Sequence, residues 1–592
     1  TSSDTQGNSV SVASSETLYA KVIGCPGYSD SAVGSAAYTI NSSSQAATPA
    51  FSPTAGAYSS TQSVTISTSA PGCSAYIYWN TTGNPTSSDT QGNSVSVASS
   101  ETLYAKVIGC PGYSDSAVGS AAYTITSGPG LPTLVQDSAW GTNNGTENGN
   151  GFTYHLPNPS LGGSSTQGDS SNNLIVVAFS WAGTATLTSL SDNNGNAWTT
   201  GASCNDSGSP RRNIRILYAM GAKAGTQDLT LTFSTTVAEV HLRASEFYNV
   251  SVSSAVDGTP SCTASTSNFG PFIAAGSITT TVDNDLIYHY GIDNTALCCT
   301  NPVTSFAVGT DFSLLPSDRH LGHFAQWQVQ STHGSINPTM TVNQRSNDAF
   351  DSGAIALKAA SAGTAPGSGI RIVRQFHTNN DASGTDFTVQ WPCSGNLTVF
   401  SQGESNVYHT ITSITDSNSN TFNLVSRSAG EPYMYYAAGM NCGSPNARTM
   451  VVHGNVGGST ATDVIYDIAN AAASPYDNRA SGLDSQGAAG TSSCLLNSSA
   501  TDHAPNITPV AAPGLAIVVA EEGTGPRCAL YGTGYVADMG WYTGATDNSV
   551  LMDNGNGYGH YYYSSTSTID FHWLWANGTT SSGYNLAATF KQ

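Results

Sequence analysis

The sequence predicts an all-β protein, with small antiparallel sandwiches in tandem followed by two larger, mutually related sandwiches of jelly-roll or lectin-like type. Three observations carry this. First, charged residues make up only 9% of 592 positions, against about 25% in an average soluble protein. Ser, Thr, Asn and Gly fill the gap, with β-branched and aromatic residues between them, which is the composition of short strands joined by polar turns. Second, apolar residues cluster in short or alternating runs such as SVTIST and TLYAKVI, punctuated by APG, TTGNP and CPGYSD, with almost no sustained 3.6-residue periodicity. Third, the chain repeats itself: residues 1–40 recur unchanged at 86–125, an offset of 85.

The same figures exclude several classes. A net charge of −21, from 17 Lys+Arg against 38 Asp+Glu, argues against nucleic acid or an anionic membrane as partner, because both need clustered cations. The longest apolar stretches, Leu174 to Phe179 and Leu515 to Ala520, fall far short of the roughly 18 residues of a membrane helix, so no membrane span is expected.

Taken in order, residues 1–40 are the C-terminal half of a repeat whose complete form is 47–125. The first half of that unit, ATPAFSPTAGAYSSTQSVTISTSAPGCSAYIYWNTTGNP, has no counterpart before Thr1. A neighbouring subunit could supply it, but each chain carries one first half and two second halves, so the counts do not balance; a longer natural chain with further repeats upstream is the expectation.

The motif order PAFSPTAGAYSSTQSVTIST, YIYWNTTGNPTSSDT and VSVASSETLYAKVIGCPGYSDSAVGSAAYTI resembles the β-sandwich module of the C-terminal region of chitobiases and β-hexosaminidases. In bacterial surface and secreted proteins that module is a repeated accessory unit. The resemblance covers about 1–125 and implies an immunoglobulin-like spacer without a catalytic site.

Two linkers, TSGPGLP at 126–132 and AASAGTAPGSG at 359–369, bound blocks at 131–360 and 370–592. TLTSLSDNNGNAW in the first matches HTITSITDSNSNTF in the second, and RILYAMGAKAG matches YMYYAAGMNCG. Each block is read as one larger sandwich, the two being paralogous, and they loosely resemble uncharacterised sandwich domains of bacterial surface proteins.

Eleven cysteines point to disulfides and an oxidising, extracellular or cell-surface location. The domains divide them one, two, four and four. Cys73 is expected to bridge to Cys110, Cys393 to Cys442, and Cys494 to Cys528. By the matched positions Cys262 bridges to Cys298 or Cys299, and Cys204 takes whichever is left. Cys25 lacks its partner, which the offset places before Thr1. No C-x-x-C spacing suggests a metal thiolate site.

Catalytic motifs are absent. Glu246, Asp467, Glu521 and Glu522 lie on strand-like runs, but Glu246 and Asp467 are equivalent positions of two blocks, so hydrogen-bonded strand carboxylates are favoured over a glycosidase pair. Asp192, Asn194 and Asn196, and likewise Asp416, Asn418 and Asn420, have the alternate oxygen ligands that calcium uses, as does the loop from Asp553 to Gly557; the first two lack the downstream Glu of an EF-hand loop, and hairpin turns are the favoured reading for all three. No other cofactor is expected. His320 and His323 form H-x-x-H, and His560 and His572 lie near aromatics, without a third ligand. Phe571, Trp573 and Trp575 alternate along one strand face and make either a sugar-stacking platform or core.

These readings converge on a non-enzymatic, secreted or cell-surface bacterial protein that serves as a stalk or self-assembling filament subunit. Its partners would be further copies of itself. A lectin-like protein that binds surface glycans is the alternative, and a hydrolase comes a distant third.

Overall fold

A computed structural model describes residues 5–40, 43–58, 62–97, 100–125, 130–141, 149–162, 173–205, 212–265, 272–293, 303, 306–318, 322–343, 349–360, 366–380, 386–403, 410–443, 449–455, 461–484, 501–503, 506–522, 527–531, 535–538, 541–542, 556–575 and 583–592. Among them the chain is all β, broken by one 3-10 turn at Ser74–Tyr76. Among the described residues no helix is long and apolar enough to cross a membrane. The chain divides into two compact units, Thr1–Gly128 and Pro129–Gln592.

In the first unit, the complete repeat is a sandwich. One sheet runs in the order Gly56–Tyr58, Gly119–Ile125, Glu101–Val107, Ile77–Asn80, Thr90–Gln91; the other runs Ala50–Ser52, Gln62–Ser67, Ser94–Val97. Alternation sets the faces: Leu103, Ala105 and Val107 point inward against Val64, Ile66 and Ile77. The expected Cys73–Cys110 disulfide crosses that core with Cα atoms 5.5 Å apart. The halved repeat makes the matching hairpin, Glu16–Ala20 with Gly34–Tyr38, and Cys25 is an exposed free thiol.

The second unit repeats one eight-strand plan four times among the described residues. In sandwich I the strands are Thr133–Gly141, Gly149–His155, Leu174–Ala182, Leu187–Asp192, Thr199–Asn205 and Arg212–Met220, and the long Asp228–Tyr248 serves as both seventh and eighth. Its five-stranded sheet runs in the order 5-6-3-8-1 and its three-stranded sheet 2-7-4. A jelly-roll arrangement of two Greek keys gives this order, with strand 5 moved to the larger sheet. Sandwich II, from Ser261–Ser265 to Phe350–Leu357, sandwich III, from Arg371–Asn380 to Ala461–Ala469, and sandwich IV, from Tyr476–Asp484 to Gly583–Lys591, have the same two strand orders.

The expectation of one larger sandwich per block is therefore refined: each block is a double sandwich of four sheet layers. The five-stranded sheets of I and II face each other, as do those of III and IV. The third strand of I shows why. Ile175, Val177, Phe179 and Trp181 enter the core inside sandwich I, while Leu174, Val176 and Ala178 enter the layer shared with Tyr288, Ile355 and Leu357 of II. Leu515, Ile517 and Val519 likewise face sandwich III while Ala516, Val518 and Ala520 face the interior of IV. A strand buried on both faces has no reason to alternate polarity, so it reads as a continuous apolar run.

The cysteine scheme needs one correction. Cys393–Cys442 forms as expected, but Cys204 is bonded to Cys262, with Cα atoms 5.6 Å apart, and not to Cys298 or Cys299. Cys204 ends strand 5 of I and Cys262 begins strand 1 of II, edge strands of the two facing sheets, so the bridge staples the double sandwich shut. Matching Cys262 to Cys494 also misplaces the register. Cys262 pairs with Gly353 on strand 8 of II, and the same position in IV is Ser481, opposite Leu586. There Ser481 hydrogen-bonds Glu431, which is ion-paired to Arg479 at 3.3 Å. The corresponding seam is thus covalent in one block and ionic in the other. Cys298, Cys299 and Cys494 lie outside the described residues, and of Cys528 only its place on Arg527–Tyr531 is described.

Candidate functional site

Charged side chains are scarce, and the buried ones concentrate where sandwiches meet. The two blocks join edge to edge: strand 1 of I pairs in parallel with strand 1 of III, Asp137 opposite Arg374, Ser138 opposite Gln375 and Ala139 opposite Phe376. Asp137 is ion-paired with Arg243 and accepts a hydrogen bond from Ser245 Oγ at 2.6 Å. Across the joint, Arg374 pairs with Asp467 at 2.8 Å and donates to Ser394 Oγ at 2.7 Å. All four charged groups are buried. Arg371 donates from III to the Val135 carbonyl of I at 2.7 Å.

Glu246 and Asp467 occupy one register position, Glu246 opposite Ile175 and Asp467 opposite Thr398 on the third strands. Each collects donors from the loop after strand 2. Glu246 accepts from Ser160 Oγ, the Leu161 N–H, Asn173 Nδ2 and Gln136 Nε2 at 2.7 to 2.9 Å. Asp467 accepts from the Ser394 and Gly395 N–H groups at 2.9 and 2.8 Å. These are hydrogen-bonded strand carboxylates that pin a loop, two versions of one device. Burial pushes the Glu246 carboxyl above its usual range, against the pull of its four donors.

The loop pinned by Glu246 also reaches sandwich IV. The Pro157 carbonyl accepts from His560 Nε2 at 2.8 Å, and Asn158 accepts from the Tyr562 hydroxyl at 2.6 Å while donating to the Ile372 carbonyl at 2.7 Å. His560 Nδ1 lies 2.6 Å from Asp538, whose other oxygen accepts from the Tyr466 hydroxyl at 2.7 Å. Three sandwiches therefore meet through one bonded chain of side chains. Sequence reasoning missed Arg243, Arg374 and Asp538 as members; for the two arginines the available signal was an Arg inside a core-bounded strand of a charge-poor chain, while Asp538 lies just past the end of Tyr535–Ala537.

Other buried groups titrate far from their ordinary values. Between I and II, His241 and His323 stack with ring centroids 3.5 Å apart, and Tyr290 lies 3.0 Å from His323 Nδ1. Burial lowers His241 and His289 to about 3 and His377 to about 4, and drives His323 well down. Burial also raises Asp463 to about 8, and burial with the neighbouring Asp257 raises Asp285 to about 8. An aspartate raised in the fold gains stability as pH falls from about 8 toward 4; a histidine lowered in the fold loses it as pH falls below about 6.5. Of these six groups only the two aspartates respond above pH 6.5, and below it the four histidines oppose them. The midpoint of urea unfolding is therefore expected to peak near pH 6.5, falling on both sides. A midpoint that rises steadily from pH 6.5 to 9 would contradict the burial of Asp285 and Asp463.

The Asp192 and Asp416 loops, which the sequence offers as turns or calcium sites, are turns. Asp192 accepts from the N–H groups of Asn194 and Asn196 and from Trp198 Nε1, and the Lys223 ammonium occupies the Asn194 and Gly195 carbonyls. Asn194 and Asn196 donate to Ala224 O and Thr226 Oγ1. Asp416 likewise accepts from the Asn418 and Asn420 N–H groups and from Asn420 Nδ2. The carboxylates serve backbone donors, and at the first loop the Lys223 ammonium also takes the carbonyl side, so both are side-chain-capped turns, the reading the sequence favours over calcium. Among the described residues no group of three or more metal-binding side chains forms.

Of the two readings of the row Phe571, Trp573 and Trp575, Phe571 takes the core one, fully buried in sandwich IV and not part of a sugar platform. Trp573 and Trp575 lie on His572–Trp575, opposite Leu530 and Arg527, and their side chains lie outside the described residues. So do those of Glu521 and Glu522, as do His320 and Asp553 to Gly555. The H-x-x-H pair is not assembled as a ligand set in what is described, since His323 faces Tyr290 and His241.

No model of a known protein family matches the chain, and no curated protein matches it.

Proposed function

We propose that the chain is a non-enzymatic structural or adhesive protein of the extracellular space, a stalk or self-assembling filament subunit of a bacterial surface. The observation that carries this reading is where its chemistry-bearing side chains go. Asp137, Arg243, Glu246, Arg374, Asp467, Asp538 and His560 are buried; Asp137–Arg243, Arg374–Asp467 and Asp538–His560 pair within their own sandwiches, Glu246 pins a loop, and Asp538 and His560 bond onward to Tyr466 of III and the Pro157 carbonyl of I, so their bonding serves to hold strands, loops and sandwiches together. Three disulfides support an oxidising compartment, and the resemblance of 1–125 to a spacer repeat supports the stalk. Sparse charge leaves polar surfaces that associate through hydrogen bonds without strong repulsion. Burial of Phe571 weakens the glycan-binding alternative. Negative-stain microscopy of the purified chain across salt and calcium concentrations tests the reading: regular elongated assemblies are expected, and dispersed monomers under every condition would overturn it.

A further inference from the structure

Each double sandwich has two sides built alike. In the first block, strand 1 of I lies beside strand 5 of II on the inner side, while strand 5 of I lies beside strand 1 of II on the outer side, where the Cys204–Cys262 bridge joins them. The second block repeats this. On its inner side Gln375, from strand 1 of III, donates to the Asp538 carbonyl just past strand 5 of IV. On its outer side Arg479, from strand 1 of IV, donates to the Ser426 carbonyl shortly after strand 5 of III. The inner sides are spent on each other. Strand 1 of I pairs with strand 1 of III; strand 5 of II, Ser313–Asp318, lies against strand 2 of III, Asp386–Gln390; and Trp541–Tyr542, which follows strand 5 of IV, pairs with strand 2 of I. The joint therefore follows a rule: strand 1 meets strand 1, and each strand 5 end meets the opposite strand 2.

The outer sides carry the same elements, and among the described residues nothing pairs with them. Thr199–Asn205 of I, Ser261–Ser265 and Phe272–Ala274 of II, Asn423–Leu424 of III, and Tyr476–Asp484 and Thr501–His503 of IV each end their sheets. Charges and prolines are the usual guards of an edge against pairing with another chain. Thr199–Asn205, Ser261–Ser265 and Asn423–Leu424 hold neither. On Tyr476–Asp484, Asp477 and Arg479 are bonded back onto their own block, Asp477 to the Val510 N–H at 2.7 Å and Arg479 to Glu431. Two exposed apolar side chains sit where the rule would use them: Phe272, on strand 2 of II, is 54% exposed and Leu424, on strand 5 of III, is 44% exposed. The rule brings them together only when the outer side of a first block meets the outer side of another copy's second block. Two first blocks joined to each other would instead set Phe272 against Thr199–Asn205, whose exposed residues are all polar. We infer that the outer side of the I–II block docks on the outer side of the III–IV block of a second copy of this chain, strand 1 of II pairing in parallel with strand 1 of IV as I and III pair within the chain. Because the two surfaces differ, the contact is head-to-tail, and each added copy leaves one of each kind free. The inference rests on the filament reading and supplies its interface.

The test uses two single variants of the full chain, Phe272→Asp and Leu424→Asp, both at exposed positions. Under conditions in which the parent polymerises, each variant alone is expected to sediment as a monomer. Mixed in equal amounts, the two are expected to double in mass to a 1:1 dimer and go no further, because the first keeps a sound second-block side and the second a sound first-block side. That dimer also shows that both variants are folded. Variants that each polymerise as the parent does would overturn this interface and leave the filament reading standing. A mixture that stays monomeric while the parent polymerises would overturn it as well. Leu424→Asp chains that dimerise on their own would overturn it in favour of two joined first blocks. A parent that stays monomeric under every condition would overturn both this interface and the filament reading.

Discussion

Replacing Arg374 by methionine is expected to destabilise the second unit by about 3 to 5 kcal/mol, the cost of leaving a buried carboxylate without its counter-charge. Asp467 is fully buried, and after the change it would keep only the Ser394 and Gly395 N–H groups and the Ser394 hydroxyl as donors. Part of that cost is expected to be relieved in the double variant Arg374→Met, Asp467→Leu, because replacing both members of a buried pair with apolar groups is often neutral or stabilising. Urea unfolding followed by the fluorescence of buried tryptophans such as Trp391 measures both. A single variant within about 0.5 kcal/mol of the parent, the range of ordinary surface changes, would mean that Asp467 is not held by Arg374.

Removing the Cys204–Cys262 bridge as Cys204→Ser, Cys262→Ser is expected to cost about 4 kcal/mol, from the loop-closure entropy of a crosslink with sequence separation 58. The loss should fall on the first block alone. Sandwiches III and IV meet at the corresponding seam through Glu431 and Arg479, so a reductant should loosen I from II without separating III from IV there. Limited proteolysis with and without reductant, read by peptide mass, separates the blocks. New cleavage confined to 370–592 would show that the staple does not hold I to II.

Much of the fold was legible because strand periodicity and turn residues are local. The all-β class, the Cys73–Cys110 and Cys393–Cys442 bridges and the equivalence of Glu246 with Asp467 followed from repeats and spacing. The layering did not, although Leu174 to Phe179 and Leu515 to Ala520 carried the signal: continuous apolar strands mark a sheet covered on both faces. The Cys204–Cys262 bridge was hidden for a related reason. It joins two sandwiches that the sequence presents as one, and pairing cysteines within matched positions cannot find a contact between layers. The buried polar joint was the least legible part. Asp137 meets Arg374 across more than two hundred residues through strand pairing alone, and no local pattern encodes that register.

The parallel pairing of the two first strands has a further consequence for assembly. Equivalent edges meet, strand 1 of I against strand 1 of III, so the contact has the character of an isologous interface: each partner spends the same edge on the other and leaves none to recruit a third. Such a joint closes on itself. The internal duplication therefore uses up this edge within the chain, and assembly into a fibre would draw on other surfaces, among them the strand-5 edges that end the joined sheet.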